Sequence, residues 1–277
     1  MAAAVAMAGG TDAAPLQRAR GKARLKAASR DGQTEITTLY QEGCAKIRLP
    51  HTHDASLQAV LMNTAGGLCG GDHIEWQIEA ASTARVVVTT PACERVYRSL
   101  GGTARIENRL VVGEAAHLDW LPQETILFEG GKLDRRMEVD LADGATFTAV
   151  ESVLLGRAAM GEAARGATLS DNWRIRRNGR LIHAEATRLG GAALERDGLS
   201  LLDGALALAT ILHIAPGLES RLDAVRALLP ETAGASVQGE RMTIRVLAES
   251  GLALRRTVSP IIALLSKAGA LPRLWHL

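Results

Sequence analysis

From residue 22 onward, apolar and polar side chains alternate along the chain with a period of two. Ile74, Trp76 and Ile78 share one face, and Glu75, Gln77 and Glu79 share the other. Met137, Val139 and Leu141 alternate with Arg136, Glu138 and Asp140 in the same way, and Met242, Ile244 and Val246 with Arg241, Thr243 and Arg245. Successive side chains of a strand point to opposite faces, so this pattern predicts strands with one buried face. Turn dipeptides separate the runs at Asp31-Gly32, Asp143-Gly144, Asn178-Gly179 and Asp203-Gly204. Asn178-Gly179 reads as a hairpin, because both residues tolerate the positive φ of a type I′ turn. Two segments near the C-terminus instead carry helical spacing. Ser220 is placed to cap a helix that turns Leu222, Val225, Leu228 and Leu229 inward before Pro230. Leu254, Val258, Ile261, Ile262 and Leu265 form a second apolar stripe, in which Pro260 kinks the helix or marks its true first turn, with Gly269 placed to end it. The expectation is a mainly β chain, a sandwich, barrel or β-solenoid, with two α-helices near the C-terminus.

A chain of 277 residues can bury a sizeable core, and no repeat or internal linker divides it. Residues 1–21, rich in Ala and Gly, read as a disordered tail, and residues 22–277 as one domain. Arg18 and Arg20 follow the apolar stretch, whereas a secretory signal places its charge ahead of it. The apolar run from Ala205 to Ala215 has about half of the ~20 residues that a bilayer span needs. Thirty-two basic against 30 acidic residues leave a net charge of +2, which provides no global field for nucleic acid or anionic lipid. Three dispersed cysteines, Cys44, Cys69 and Cys93, argue for a reducing compartment. A soluble, cytoplasmic protein is expected.

The densest motif is the glycine corner Thr64-Ala65-Gly66-Gly67-Leu68-Cys69-Gly70-Gly71-Asp72. Two glycine pairs in six residues imply unusual backbone angles or close backbone approach. A phosphate-binding loop would need a following Lys-Ser or Lys-Thr, or the G-x-G-x-x-G spacing ahead of a helix, and neither is present. Further blocks follow in order: TTPACERVYRS (89–99), WLPQETILFEGG (120–131), LLGRAAMGE (154–162), WRIRRNGRLIHAE (173–185) and the closing LPRLW (271–275). Together with NTAGGLCGGD (63–72), they make the chain resemble the UreD family of urease accessory proteins over nearly its whole length.

That resemblance implies a β-solenoid-like fold with two helices and no catalysed reaction. It implies binding to the accessory protein UreF, through it to the GTPase UreG, and docking on apo-urease, in complexes that pair as dimers. No cofactor is expected to stay bound; Ni²⁺ would be transient, carried along an internal channel. The channel acids of the family correspond to Asp72, Glu151 and Glu185. A further polar position falls on Glu94, where relatives carry a small hydroxyl or amide side chain.

The same acids are notable on physical grounds. Glu151 lies within Phe147–Leu155 and Glu185 follows Leu181-Ile182-His183-Ala184, and a charge in an apolar strand needs a partner or water. A buried ion pair is the plainer explanation, with Arg157 and Arg188 as nearby partners. Cys69 with His73, and His51 with His53, are metal-like pairs without an established ligand spacing. Arg174, Arg176, Arg177 and Arg180 around the hairpin read as a solvated face or as a steering surface for an acidic partner. Trp275 closes the core or anchors an interface. A carbohydrate-active β-solenoid enzyme using Asp72, Glu151 and Glu185 is the alternative, although only 3% aromatic content leaves little for sugar platforms. A nucleotide module at the glycine corner is a third. No nucleophile elbow or triad spacing is visible.

Overall fold

The computed structural model describes residues 17–51, 54–157, 160–190, 197–198, 201–266 and 271–276. The fold is mainly β and solenoid-like, as the alternation predicts. One sheet stacks β1 (Arg20–Arg30), β5 (His73–Ala80), β8 (Ala104–Val112), β11 (Lys132–Leu141) and β13 (Thr168–Arg177) in parallel. Antiparallel strands close its two sides: β2 (Gln33–Gly43) beyond β1 and β14 (Arg180–Leu189) beyond β13. The second sheet stacks β4 (Leu57–Asn63), β6 (Arg85–Thr89), β9 (His117–Leu121) and β12 (Thr146–Leu155), also in parallel. It begins with β3 (Ala45–Arg48) and continues antiparallel through β15 (Ala207–Ile214), β17 (Arg241–Ala248) and β16 (Ala233–Gln238). Short strands β7 (Glu94–Val96) and β10 (Thr125–Leu127) form a side rung against β12. The chain thus winds from one sheet to the other, coil after coil.

Parallel pairing in register stacks equivalent side chains into ladders inside the solenoid. Trp76, Asn108, Met137 and Trp173 are successive partners, as are Ile78, Leu110, Val139 and Ile175. A third ladder starts apolar and ends charged: Ile74, Ile106, Arg135, Asp171. This interior is one continuous apolar core. The Asn178-Gly179 hairpin forms with φ of 49° and 77°, in keeping with a type I′ turn.

A second core lies on the outer face of the second sheet. There α2 (Gly251–Leu265) packs over Val87, Leu121, Val150 and Ile211, burying all five residues of its apolar stripe. Ser250 caps it by accepting the Ala253 N–H at 3.3 Å. The helix starts at Gly251, so Pro260 lies inside it and does not mark its first turn. The helix ends at Leu265; Gly269, its expected terminator, lies outside the described residues. The shorter α1 (Glu219–Arg226) departs from expectation. Leu218 holds the cap position, Ser220 donates instead to the Gly217 carbonyl at 2.9 Å, and Leu228 is exposed. Only Val225 of the four predicted inward residues is fully buried; Leu222 and Leu229 pack half-buried against the same core, and the helix stops one turn before Pro230. The predicted N-terminal tail lies mostly outside the described residues, and β1 already begins at Arg20. Among the described residues, no helix is long and apolar enough to cross a membrane.

Candidate functional site

Arg135, in the third ladder, lines a cavity of about 260 Å³ that opens to the surface at Gly66, Pro91, Ala92 and Arg95. Glu94 and Glu151 both line it, with Asn63, Trp76, Asn108, Trp120, Thr125 and Arg135. The Gly66-Gly67 half of the glycine corner also lines it. At one end Glu94 accepts the Asn63 amide at 3.2 and 3.3 Å and the Arg95 N–H at 3.2 Å. Burial pushes its pKa up to about 7 in spite of those hydrogen bonds. Asn108, 2% exposed, has a side-chain oxygen with no hydrogen-bond partner among the described residues. A buried carbonyl oxygen left open toward a cavity is a seat for water or a cation.

At the other end Glu151 accepts the indole N–H of Trp120 at 2.9 Å and pairs with Arg135. Arg135 also donates to Asp171 at 2.6 Å and to Thr125 at 3.2 Å, and Trp173 donates to Asp171 at 3.1 Å. Burial raises the Glu151 pKa, Arg135 lowers it and Asp171 raises it further. For Arg135, burial works against the charge, but Asp171 and Glu151 outweigh it and hold the guanidinium protonated. The cluster is one cation between two acids, all three buried. Arg157, the partner expected for Glu151, instead pairs with Glu162.

The remaining predicted acids lie elsewhere. Each oxygen of Asp72 accepts a backbone N–H at 2.8 Å, from Ala19 and from Cys69. Asp72 therefore ties β1 to the glycine corner and does not line the cavity. Glu185 forms a two-pronged pair with Arg245, at 3.0 and 2.6 Å, and not with Arg188. That pair bridges β14 to β17 beside an open cleft of about 1420 Å³, which Arg245, Thr187 and Thr210 line. The second sheet continues past β15 through β17 and β16, and the cleft lies along β14, β15 and β17.

Among the described residues, Cys69 and His73 do not come together. Cys69 receives Arg18 at 3.4 Å, while His73 faces Glu107 at 3.2 Å. His51 is exposed and His53 lies outside the described residues. Among the described residues, no three His, Cys, Asp or Glu side chains are grouped to hold a metal ion. Two hairpin arginines are partly committed inward: Arg174 donates to the carbonyls of Trp173 and Glu185, and Arg177 to those of Ala142 and Ala145. Arg176 is half-buried and Arg180 exposed. Trp275 is a core residue, not an exposed anchor. It is 3% exposed, donates to the Leu121 carbonyl at 3.0 Å, and lies under Arg255 at 5.6 Å. Arg255 in turn pairs with buried Glu124 at 2.6 Å, fixing the segment that forms one wall of the cavity.

Arg135, Asn108 and Asp171 escaped the sequence reading, yet a signal existed. Arg135 shares the parity of Leu133 and Met137, Asn108 that of Ile106 and Leu110, and Asp171 that of Leu169 and Trp173. A polar residue on the apolar face of a strand marks a position where the interior needs polarity.

A model of the family described as UreD urease accessory protein matches residues 19–276. The chain belongs to the UreD family. It is 59% identical to the urease accessory protein UreD of Chelativorans sp. (strain BNC1), over 95% of this chain and 96% of that one. It is 47% identical to the UreD of Rhizobium etli, with 94% and 96% covered, and 47% to that of Agrobacterium fabrum, with 94% and 92% covered. Within this UreD-family chain, Glu94 and Glu151 are the two candidate acids that share a cavity. Asp72 and Glu185 are not paired across it, and the glycosidase alternative finds no support in this arrangement.

The position of Glu94 has a measurable consequence. Its folded pKa, about 7, lies above the ordinary 4.5. Below pH 4.5 both folded and unfolded chains hold the proton, and the group costs nothing. Between those values the unfolded chain releases the proton more readily, so stability falls as pH rises through the window. Glu94→Gln is therefore expected to raise Tm relative to wild type at pH 8 by several degrees more than at pH 5. Equal differences at the two pH values, by calorimetry, would contradict burial as the cause.

Proposed function

We propose that this chain is a non-catalytic scaffold of urease maturation, working in the cytoplasm. It binds a UreF partner, reaches the GTPase UreG through it, and docks on apo-urease, in assemblies that pair as dimers. Nickel passes along the polar interior toward the urease metal site. Family membership over nearly the whole chain supports the maturation role. The observation that carries the passage is the polar cavity, with Glu94, Asn108 and Glu151 on its wall and its mouth at the exposed Gly66, Pro91, Ala92 and Arg95. Oxygen donors hold late first-row metals less tightly than imidazole or thiolate, which suits cargo that must be released. Carboxylates that start from a raised pKa also exchange a proton for a cation near neutral pH.

The test separates docking from passage. Asn108→Leu keeps the branched outline of the side chain, adds some volume that the adjoining cavity takes up, and removes an unpartnered buried oxygen. Combined with Glu94→Gln, it strips polarity from the wall, Glu94 being half-buried at its mouth. The double variant is expected to co-purify with UreF and apo-urease as wild type does, while nickel per urease active site falls several-fold. Full nickel loading with intact co-purification would end the passage and leave only docking.

A further inference from the structure

The ion cluster separates two spaces along the solenoid axis. Glu151 and Arg135 line the smaller cavity, which they share with Glu94. The strand neighbour of Glu151 is Thr210, and that of Asp171 is Thr187; both threonines line the open cleft. Arg135 thus sits in the wall between the cavity and the cleft. Its guanidinium is gripped at the Nη end by Glu151, Asp171 and Thr125, while its Nε meets no acceptor among the described residues. The two carboxylates flank one guanidinium, Glu151 at Nη1 and Asp171 at Nη2, so with the guanidinium gone both would border the space a metal ion could take. Both are anchored by indole N–H groups, Trp120 on Glu151 and Trp173 on Asp171, so they stay in place if the cation is exchanged.

We propose that Arg135 is a resident cation that stops Glu151 and Asp171 from trapping a divalent metal at the wall between the two spaces. The proposal rests on the passage reading, which gives metal a reason to reach this wall. Two neighbouring carboxylates with no competing positive charge would retain Ni²⁺ longer than a wall bearing one acid. The guanidinium fills that site with a charge that is always present, so an arriving ion meets no empty pair of acids. Arg135 is in this sense a specificity-determining residue: it keeps the interior permissive and non-retentive.

The full-length chain carrying Arg135→Met tests this, with nickel chloride as the probe and magnesium chloride as the hard-cation control. The variant is expected to bind one more Ni²⁺ per chain than wild type in equilibrium dialysis. Its Tm is expected to rise by about 5 °C at saturating nickel, a response absent in wild type. Adding Glu151→Gln should abolish both gains. Should the variant unfold in metal-free buffer, refolding is repeated with nickel; recovery only with the metal counts as the same result. Nickel binding no greater than wild type, extra nickel that survives Glu151→Gln, or failure to refold with nickel overturns the proposal. The passage is judged separately. Extra nickel in Arg135→Met combined with wild-type urease activation would sink the passage and keep the trap. Absence of extra nickel sinks the trap and leaves the passage to the Asn108 and Glu94 variants.

Discussion

Gly70→Ala is expected to cost about 3 kcal/mol or more of folding free energy, while Gly66→Ala, in the same corner, costs about 1 to 2. Gly66 sits at φ +77° with nothing within 4 Å of an added Cβ, so its penalty is the left-handed backbone alone. Gly70 has no such φ, but a Cβ there would collide with Ser99 Oγ and with the carbonyls of Gly101 and Gly102. Ser99 cannot simply rotate aside, because its hydroxyl donates to the Gly102 carbonyl at 2.8 Å and accepts the Gly101 N–H at 3.1 Å. Two of the three colliding atoms are backbone, so relief requires moving the loop ahead of β8. Urea unfolding of the two variants side by side measures the difference. Equal midpoints would show that the corner is soft and that its glycines serve conformation only.

Trp275→Ala is expected to cost about 4 kcal/mol, within the range for removing a buried aromatic. The substitution empties a site in the second core, strands the Leu121 carbonyl that accepted the indole N–H, and removes the ring beneath Arg255. Calorimetry of the isolated chain checks this. Were Trp275 an interface anchor, the isolated chain would melt unchanged and only partner binding would weaken. The two outcomes are cleanly opposed.

The fold was largely legible because period-two alternation and the turn dipeptides are local signals. The helix stripe from Leu254 to Leu265 was legible for the same reason. Partnerships were not. Sequence proximity suggested Arg157 and Arg188 for Glu151 and Glu185, but the solenoid brings in Arg135 from the adjacent coil and Arg245 from 60 residues away. Asp72 looked like a channel acid, yet the corner beside it consumes both of its oxygens on backbone N–H groups. Whether a charged residue faces water, a cavity or an orphan N–H depends on which coil stacks against it. One strand viewed alone does not contain that information. The alternation did contain more than was taken from it: Arg135, Asn108 and Asp171 all interrupt an inward-facing apolar row.

The return of the C-terminus to the middle of the solenoid bears on how the chain matures on the ribosome. Coils pair with their immediate predecessors and can assemble as they emerge. The face of the second sheet bearing Val87, Leu121 and Val150 is different: its cover is α2 and Trp275, which arrive last, 131 and 154 residues after the Glu124 and Leu121 that they clasp. A nascent chain short of its final two dozen residues carries a bare greasy flank. Premature termination there would yield a sticky polypeptide and not merely a shortened one.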